Sequence, residues 1–299
     1  MKIGVIMGGI SSEREVSLKS GEQVIKNLNK NKYEKIIPII INSKKEVIEK
    51  VKEIDFAFIA LHGRFGEDGT IQAVLETMGI PYSGCGVLCS AISMNKGLTK
   101  QLVMSKGIET APWITVKSIK DINYEKIREI GYPIFIKPNS GGSSIATFLI
   151  NNEYEVEYAI KKVLEYDDEV MIEKYIGGTE MTSFILNGDV FPTIVIKANI
   201  GEFFNYEAKY KENGADEEVV FLEKNLQKKV NEISKCVWNN LGCKSYARID
   251  IIVSNNIPYF LEINTLPGMT ESSLIPKSAR ARGYNFSELL DMIIEYSLT

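Results

Sequence analysis

The 299-residue sequence contains little of several residue types, and each shortage excludes a class of protein. It has one histidine and four cysteines, and the cysteines lack both CxxC spacing and the accompanying histidines of a zinc site. We therefore expect reduced thiols in the core of a cytoplasmic protein. Because no basic block stands out and the formal net charge is −4, a nucleic-acid-binding surface is not indicated.

Long apolar segments are missing as well. The apolar start of the chain is too short for a signal peptide and acidic residues follow it at once, so we expect no secretion signal. No apolar run approaches the length of a membrane span, so no membrane association is expected. The hydrophobic share of 44% is typical of globular proteins, and the length suits two or three domains.

Apolar runs and helical patterns alternate over the first eighty or so residues, as in βαβαβ units. The predicted elements are strands 2–7, 35–41 and 55–61 and helices near 15–28 and 45–51. This order predicts a parallel sheet covered by helices, whose ligands bind beyond the carboxyl ends of the strands. Two polar, glycine-rich loops follow those ends, at 8–13 and 62–69.

Each of these loops carries a candidate ligand-binding side chain. Glu13 stands where a helix is predicted to begin, so it either complements the helix dipole or binds a substrate ammonium group. His62 ends a predicted strand and enters the second loop. A structural role and a ligand contact both remain open for this histidine.

A glycine- and serine-rich loop joins two predicted strands in the middle of the chain. This setting predicts a hairpin lid, because Walker and Rossmann loops join a strand to a helix. The amides near Gly141 and Gly142, with Lys137 before the loop and Lys96 on an earlier helix, would form an anion cradle. A plain turn is the alternative.

Two further segments are candidates for nucleotide contact. Glu173 and Lys174 end a predicted strand just before two glycines and could meet an adenine or ribose edge. The polar loop 205–210 ends in Lys209 and Tyr210 and has more aromatic residues than a linker needs. It is interpreted either as a lid that carries a lysine to a phosphate or as a solvent loop pinned by tyrosines.

Two predicted strands near the end of the chain carry polar side chains inside apolar runs. Arg248 and Asp250 share one strand face, as do Glu262 and Asn264. If the connecting loop has an odd number of residues, Asp250 lies opposite Glu262. Carboxylates about 5 Å apart repel by roughly 3–4 kcal/mol at an effective dielectric near 20. A hard divalent cation removes this penalty, so the pattern favours a Mg²⁺ site over a solvated polar face.

Taken together, these segments resemble the ATP-grasp ligases and, more closely, the D-alanine–D-alanine ligase family. The resemblance runs over nearly the whole chain in family order. It rests on 8–17, 61–69, Lys137-Pro138, Glu173-Lys174, 206–210, 248–250 and 262–270. Many ATP-grasp enzymes share the metal-binding strands, whereas the first two segments and the Lys-Tyr loop point to this family.

The resemblance implies an α/β fold with two α+β ATP-grasp subdomains. Residues 1–84 would form an N-terminal substrate-binding domain with a parallel sheet, 85–176 the central subdomain, and 177–299 the C-terminal subdomain with the metal site. It further implies a cytoplasmic homodimer that joins two D-alanines through an acyl phosphate, for the synthesis of peptidoglycan precursors.

The resemblance also implies a role for each candidate residue. ATP would be held by Lys96 and Lys137 at the α and β phosphates, Lys209 at the γ-phosphate, Glu173, Lys174 and Ile176 at the nucleoside, and Glu180 at the ribose. Two Mg²⁺ ions, or Mn²⁺ in their place, would be bound by Asp250, Glu262 and Asn264. The first D-alanine would meet Glu13, Ser143, Tyr210 and His62, and the second Gly268, Ser273 and Leu274. Arg248 and the Gly268 amide would stabilise the oxyanion.

The sequence departs from the family pattern at three places, and none of them removes an implied ligand. Asn95 stands where the family usually has Asp, Gly141 where it has an acidic residue, and Tyr246-Ala247 where it has Trp-Gly. Three alternatives remain: a relative that joins D-alanine to D-lactate, another carboxylate–amine ligase, and a non-catalytic nucleotide-binding protein. Lys209 and Tyr210 favour a dipeptide product.

Overall fold

The computed structural model of the chain describes residues 1–199 and 214–299. The predicted lid residues Lys209 and Tyr210 therefore lie outside the described residues. The described part contains three β-sheets, of three, six and four strands, with helices packed against them. Within it, no helix is both long and apolar enough to cross a membrane.

The first sheet is parallel, as predicted, with the strand order β2-β1-β3. Its elements are β1 (Lys2–Gly8), α1 (Arg14–Asn27), β2 (Lys35–Ile41), α2 (Val47–Lys50) after a 3₁₀ turn (Lys44–Glu46), and β3 (Phe56–Ile59), followed by α3 (Thr70–Thr77). Every residue of β3 is buried. Helix α1 lies so close to β1 that a Cβ at Gly21 would stand 2.5 Å from the sulfur of Met7. The carboxyl ends of β1 and β3 thus bring the two predicted ligand loops to one edge.

Two helices, α4 (Val87–Met94) and α5 (Lys96–Met104), follow, and Lys96 begins the second of them. Asn95 breaks the helix because its backbone is extended and its side-chain oxygen accepts a hydrogen bond from the amide of Leu98, at 2.9 Å. Asparagine and aspartate cap helices about equally well, so the departure from the family pattern at this position keeps the cap.

The four-stranded sheet is antiparallel, with the order β4-β7-β5-β6. Its elements are β4 (Trp113–Val116), α6 (Tyr124–Ile130), β5 (Ile134–Pro138), β6 (Phe148–Ile150), α7 (Val156–Val163) and β7 (Val170–Lys174), with 3₁₀ turns at Ile119–Asp121 and Glu153–Glu155. Buried residues of α6 and α7 share one core with β5 and β7. Strands β5 and β6 form the predicted hairpin around the glycine- and serine-rich loop.

The six-stranded sheet carries the paired carboxylates. Its strands are β8 (Thr179–Leu186), β9 (Asp189–Val190), β10 (Ile194–Ala198), β11 (Ala215–Val219), β12 (Tyr246–Ser254) and β13 (Ile257–Asn264). The order is β11-β10-β8-β12-β13, with β9 beside β8. Helix α8 (Lys224–Leu241) covers one face, and α9 (Leu274–Ala281) and α10 (Phe286–Ser297) end the chain.

In the hairpin of β12 and β13, Asp250 lies opposite Glu262, but an odd loop is not the cause. Its turn contains only Asn255 and Asn256, both with positive φ, so the loop is even and not odd. A bulge next to the Asp250/Ile251 boundary makes Leu261 an extra residue in β13. This one-residue shift is what sets Asp250 opposite Glu262 and Arg248 opposite Asn264.

The end of the chain returns to the first sheet. Leu289 and Ile293 of α10 are fully buried in the same core as β1 and β3, and Tyr246 of β12 joins them. The hydroxyl of Tyr33 donates to Asp291 at 2.6 Å across this contact. Tyr246 is 1% exposed and its phenol hydrogen-bonds to Ser83. The tyrosine therefore fills the core position where the family usually has a tryptophan.

Candidate active site

A cavity of about 340 Å³ lies between the four-stranded and six-stranded sheets. The glycine- and serine-rich loop of the β5–β6 hairpin covers one side of it. Of the residues expected to contact ATP or metal, the cavity is lined by Lys96, Lys137, Ile176, Glu180 and Glu262. The structure thus brings together side chains from five separate elements or loops, which sequence order alone does not place side by side.

Lys96 connects the two walls of this cavity. Its Nζ donates to the carbonyl of Gly141 in the loop at 2.5 Å and lies 3.2 Å from Oε2 of Glu262. The backbone of α5 is fixed against the same loop, because Asn139 accepts from the amide of Gly97 at 2.9 Å. A cation so held can meet a phosphate without further ordering of its helix.

Gly141 fits the loop in a way that the usual acidic residue would not. A Cβ on Gly141 would stand 2.8 Å from the Cβ of Pro138, closer than real Cβ atoms approach. Ser143, Ser144 and Ala146 have φ between 53° and 55°, a conformation that costs free energy for residues other than glycine. The loop therefore turns sharply back over the cavity.

Glu173 is buried between two lysines, and its carboxylate contacts Lys100 and Lys137. Burial raises the pKa of Glu173, but the charges of Lys100 and Lys137 outweigh it and bring the pKa to about 2. Burial also lowers the pKa of Lys100, against the attraction of Glu173. Glu173 therefore orients Lys137 toward the cavity.

Lys100 is a residue that the sequence analysis missed, although a signal was present. It follows Lys96 by four residues on α5, so both side chains lie on one helix face. Lys100 is 1% exposed, which for a lysine indicates a specific partner.

The side chain of Lys174 also points away from the cavity. Its Nζ donates to the carbonyls of Gly131 and Tyr132, at 2.9 and 3.0 Å, at the end of α6. Glu173 and Lys174 do not line the cavity itself, but both line a smaller pocket that shares Ile176 with it. Ile176 and Glu180 line the cavity directly.

Asp250 lies at the centre of the polar face on β12 and β13. Arg248 donates to both of its oxygens, from Nε at 2.9 Å and from a terminal nitrogen at 2.7 Å. Asn264 donates to Oδ2 at 3.0 Å and Thr182 to Oδ1 at 2.7 Å. Burial lowers the pKa of Arg248, but the Asp250 carboxylate has the larger opposite effect. The net pKa is raised, so the guanidinium stays charged. Thr182 was not predicted, because only the sheet order reveals that β8 lies beside Asp250.

This face suits a hard divalent cation. Asp250, Glu262 and Asn264 offer two carboxylates and an amide oxygen from one hairpin, with no sulfur or imidazole among them. Directly opposite carboxylates favour a cation between them. The donor set therefore agrees with Mg²⁺ or Mn²⁺.

Glu13 meets the glycine- and serine-rich loop from the first sheet. The hydroxyl of Ser143 donates to its carboxylate. A Cβ on Gly142 would lie 3.1 Å from Oε2 of Glu13, so the loop backbone also runs close by. Glu13 and Ser143, both expected at the first D-alanine, are thus in contact, and Tyr210 is outside the described residues.

His62 is buried beside this contact and links the two ends of the chain. Nδ1 lies 3.0 Å from the carbonyl of Leu266 and 3.3 Å from Glu67, while Nε2 lies 3.1 Å from the hydroxyl of Ser20. Burial lowers the pKa of His62, but the hydrogen bond to Glu67 and the charges of Glu67 and Glu13 raise it above its usual value. Its contacts give this ligand-loop histidine a positioning role toward the segment after β13.

The segment after β13 carries the residues expected at the second D-alanine. Ser273 directly precedes α9, and its hydroxyl accepts from the amide of Thr270 at 3.0 Å in place of a helix amide. A Cβ on Gly268 would lie 3.4 Å from that hydroxyl, so Gly268 and Ser273 adjoin. Leu274 packs instead with Ile194 and Ile196, so its side chain is a core contact.

A lysine-lined cavity between two antiparallel sheets, with opposed carboxylates on one wall, is the arrangement of the ATP-grasp ligases. Comparison with known proteins narrows this class. Models of the D-ala D-ala ligase N-terminus and C-terminus match residues 2–50 with 42–85, and 102–295, respectively. The chain belongs to the D-alanine–D-alanine ligase family.

Individual relatives match this chain over nearly its full length. A D-alanine–D-alanine ligase of Clostridium botulinum (strain 657, type Ba4) is 57% identical, covering 100% of this chain and 99% of the relative. The crystal structure of a D-alanine–D-alanine ligase from Bacillus anthracis complexed with ATP is 47% identical with a TM-score of 0.91, covering 100% and 97%. The VanG D-Ala:D-Ser ligase of Enterococcus faecalis is 30% identical with a TM-score of 0.83, covering 99% of both chains.

Proposed function

We propose that the protein is an ATP-dependent ligase that joins two D-alanines into D-alanyl-D-alanine through an acyl phosphate. One observation carries this proposal: Ser143, which contacts Glu13, and Glu262, which faces Asp250, line the same cavity. An amino-acid ammonium group and a metal-bound polyphosphate could thus be held at the two ends of one pocket.

The residues around the cavity supply the charges that the first step requires. Glu13 would bind the ammonium of the first D-alanine and leave its carboxylate facing the terminal phosphate of ATP. Lys96 and Lys137 would offset the phosphate charge, with Lys209 at the γ-phosphate. Two Mg²⁺ ions held by Asp250, Glu262 and Asn264 would further neutralise the transferring phosphoryl group.

The second D-alanine would then attack the activated carbonyl with its amine. Ser273 and the neighbouring Gly268 would hold its carboxylate, while Leu274 would contribute through its backbone. Arg248, whose charge is maintained beside Asp250, would stabilise the oxyanion together with the Gly268 amide. His62 would keep the segment after β13 in place through its contact with Leu266.

The relatives favour this product over its close alternatives. The two relatives described above that are named D-alanine–D-alanine ligase are 57% and 47% identical to the chain, and the one named a D-Ala:D-Ser ligase is 30% identical. We therefore propose D-alanine as the second substrate as well as the first, in preference to D-serine or D-lactate.

The setting of the reaction belongs to the same proposal. We propose a cytoplasmic enzyme that supplies a peptidoglycan precursor, with domains 1–84, 85–176 and 177–299.

We also propose a homodimer formed through the N-terminal domain, where Ile10, Ile40 and Ile48 are exposed apolar side chains. Light scattering of the purified protein, with and without changes of these isoleucines to serine, tests the homodimer.

The direct test is phosphate release from ATP in the presence of single amino acids. We expect release with D-alanine and Mg²⁺, none with L-alanine, and a product with the mass of the dipeptide. Competition by D-serine and D-lactate as second substrates ranks the acceptors. Equal release with D- and L-alanine, or a product containing the competing acceptor in preference, would contradict the assignment.

A further inference from the structure

Three of the four cysteines are buried together outside the cavity. Cys85, Cys89 and Cys243, here called the thiol cluster, are between 1% and 8% exposed. One sulfur atom from each lies within 4.8 Å of the others, and the sulfurs of Cys89 and Cys243 are 3.6 Å apart. All are free thiols, and nothing in the proposed ligase reaction uses them.

The thiol cluster lies in the apolar core that α8 forms against the six-stranded sheet, and a few polar groups reach it there. The Cys85 thiol donates weakly to the carbonyls of Lys244 and Tyr246, at 3.6 and 3.7 Å. The hydroxyl of Ser93 lies 3.9 Å from the sulfur of Cys89 and is also buried. A buried oxygen is therefore next to one of the three sulfurs.

One thiol of the cluster is prepared to lose its proton. Cys89 lies in the first turn of α4, where the helix dipole favours a negative charge. Among the hydrogen bonds of the described residues, the three sulfurs contact carbonyls, a hydroxyl and one another, and no lysine or arginine. A thiolate formed here would therefore need a cation from outside the chain.

The sulfur spacing distinguishes a metal site from a disulfide. Zinc–sulfur bonds of about 2.3 Å in tetrahedral geometry place the sulfurs roughly 3.8 Å apart. The observed 3.6 Å between Cys89 and Cys243 is close to that value, and the 4.8 Å limit requires only a small contraction. A disulfide would require these two sulfurs to approach to about 2.05 Å and would leave Cys85 out.

We propose that the thiol cluster binds one soft divalent cation of the zinc class through the sulfurs of Cys85, Cys89 and Cys243. The hydroxyl of Ser93 supplies an oxygen for the fourth position. Binding forms three metal–sulfur bonds and releases the three thiol protons to solvent. The bound ion fixes the start of α4 to the entry of β12, and these elements lead to Lys96 and to Arg248.

The test uses Cd²⁺ as the probe, because cadmium–thiolate bonds give an ultraviolet charge-transfer band that carboxylate sites do not give. The full-length protein is titrated with Cd²⁺ in the presence of Mg²⁺ and against a competing chelator. We expect one equivalent to bind with the band and to raise the melting temperature. In Cys89→Ala and, separately, Cys85→Ala, affinity should fall by about 100-fold, at the upper end of the effect of losing an outer-shell partner.

Cys236→Ala is the matched control, since Cys236 lies on α8 outside the cluster and contacts only Asn240 among the hydrogen bonds of the described residues. It should keep both the band and the gain in melting temperature. Circular dichroism of each variant shows whether the fold is retained. A wild-type protein without the band overturns the proposal, as does a band that survives in folded Cys89→Ala and Cys85→Ala. Oxidation to a Cys89–Cys243 disulfide without cadmium uptake overturns it as well.

Discussion

Two carboxylate sites border the nucleotide cavity, and they balance charge in opposite ways. At the first, the single carboxylate of Glu173 contacts Lys100 and Lys137, which leaves one positive charge in excess. At the second, Asp250 pairs with Arg248 and Glu262 with Lys96, and the carboxylate of Glu180 adds a further negative charge near Arg248. A site with surplus positive charge attracts a phosphate, whereas a site with opposed carboxylates can accept a further cation.

The two sites also differ in how far their carboxylates are exposed to solvent. The side chain of Glu173 is 2% exposed, whereas that of Glu262 is 23% exposed and lines the cavity. An ion from solvent can therefore reach Glu262 and not Glu173. The comparison indicates that Glu173 acts by positioning a lysine and Glu262 by binding a ligand, although both are glutamates beside lysines.

The strongest test of this comparison is Glu262→Gln. The change removes one charge from the proposed metal face and keeps the size of the side chain. We expect turnover to fall by about 1,000-fold or more, because the stabilisation of phosphoryl charge depends on the metal. D-alanine-dependent phosphate release measures it. Glu232→Gln on the exposed face of α8 is the control, and retention of more than a tenth of the activity by Glu262→Gln would refute the metal role.

The second test is Lys100→Met, which breaks the buried site of Glu173. A buried ion pair that loses one partner destabilises a protein by about 3–5 kcal/mol, and the remaining Lys137 places this case near 3 kcal/mol. The apparent KM for ATP should rise, since Glu173 then draws Lys137 inward. Urea denaturation and ATP-dependent kinetics measure the two effects.

Lys161→Met provides the matched control, because Lys161 pairs with Glu157 on the exposed surface of α7. Surface pairs contribute less than about 1 kcal/mol. If the free energy of unfolding changed equally in the two variants, Lys100 would not be part of a buried network.

The pH dependence of stability gives a third test of the same site. The pKa of Glu173 is lowered from 4.5 to about 2, so its contribution is complete above pH 4.5 and is lost as the pH falls toward 2. This amounts to up to roughly 3 kcal/mol. In the double variant Lys100→Met/Glu173→Met, the free energy of unfolding should fall less steeply over this interval. Identical slopes for wild type and double variant would show that Glu173 does not titrate in this way.

The half-buried carboxylate of Glu67 extends the comparison to a histidine partner. Because His62 is the only histidine, its proton NMR signal can be followed with pH without assignment. We expect a pKa above 6.5, since the hydrogen bond to Glu67 and the charges of Glu67 and Glu13 outweigh burial. Stability from this pair should be complete below pH 6.5 and decrease as the pH rises through the folded pKa. Glu67→Gln should lower the pKa of His62, and an unchanged value would exclude the pairing.

The smallest effect is expected for Asn95→Asp, which restores the usual family residue at the start of α5. Both side chains cap a helix through an oxygen, so the free energy of unfolding should change by less than about 0.5 kcal/mol. Asn95→Ala removes the cap and should cost about 1 kcal/mol. Similar losses in both variants would mean that the capping oxygen does not matter here.

Local periodicity explains which parts of the fold and site could be predicted. The two-residue period predicted that Arg248 and Asp250 share a face of β12 and that Glu262 and Asn264 share a face of β13, and the βαβαβ order predicted the parallel sheet. Both features depend on residues near in sequence. The sequence did not reveal Thr182 beside Asp250 or Glu67 beside His62, because those contacts depend on sheet order and on loop packing.

The register of the β12–β13 hairpin is a second feature that could not be predicted from the sequence. The sequence placed Asp250 opposite Glu262 only on the condition of an odd loop, yet the two asparagines form an even turn. In an unbroken hairpin with that turn, Glu262 would face Ile249 in the core. Burying an unpaired carboxylate there would be so costly that a local irregularity is preferred. A bulge forms when regular strand pairing would cost more free energy than the irregularity, and this balance has no simple sequence signal.

The inserted leucine has a consequence for how the enzyme can change. Leu261 lines the cavity, so the residue that the bulge accommodates also forms part of the cavity wall. Excising it would leave a regular hairpin in which the two acids still oppose each other, while the wall would lose an apolar side chain. The shape of the cavity and the pairing of the two acids can therefore change separately.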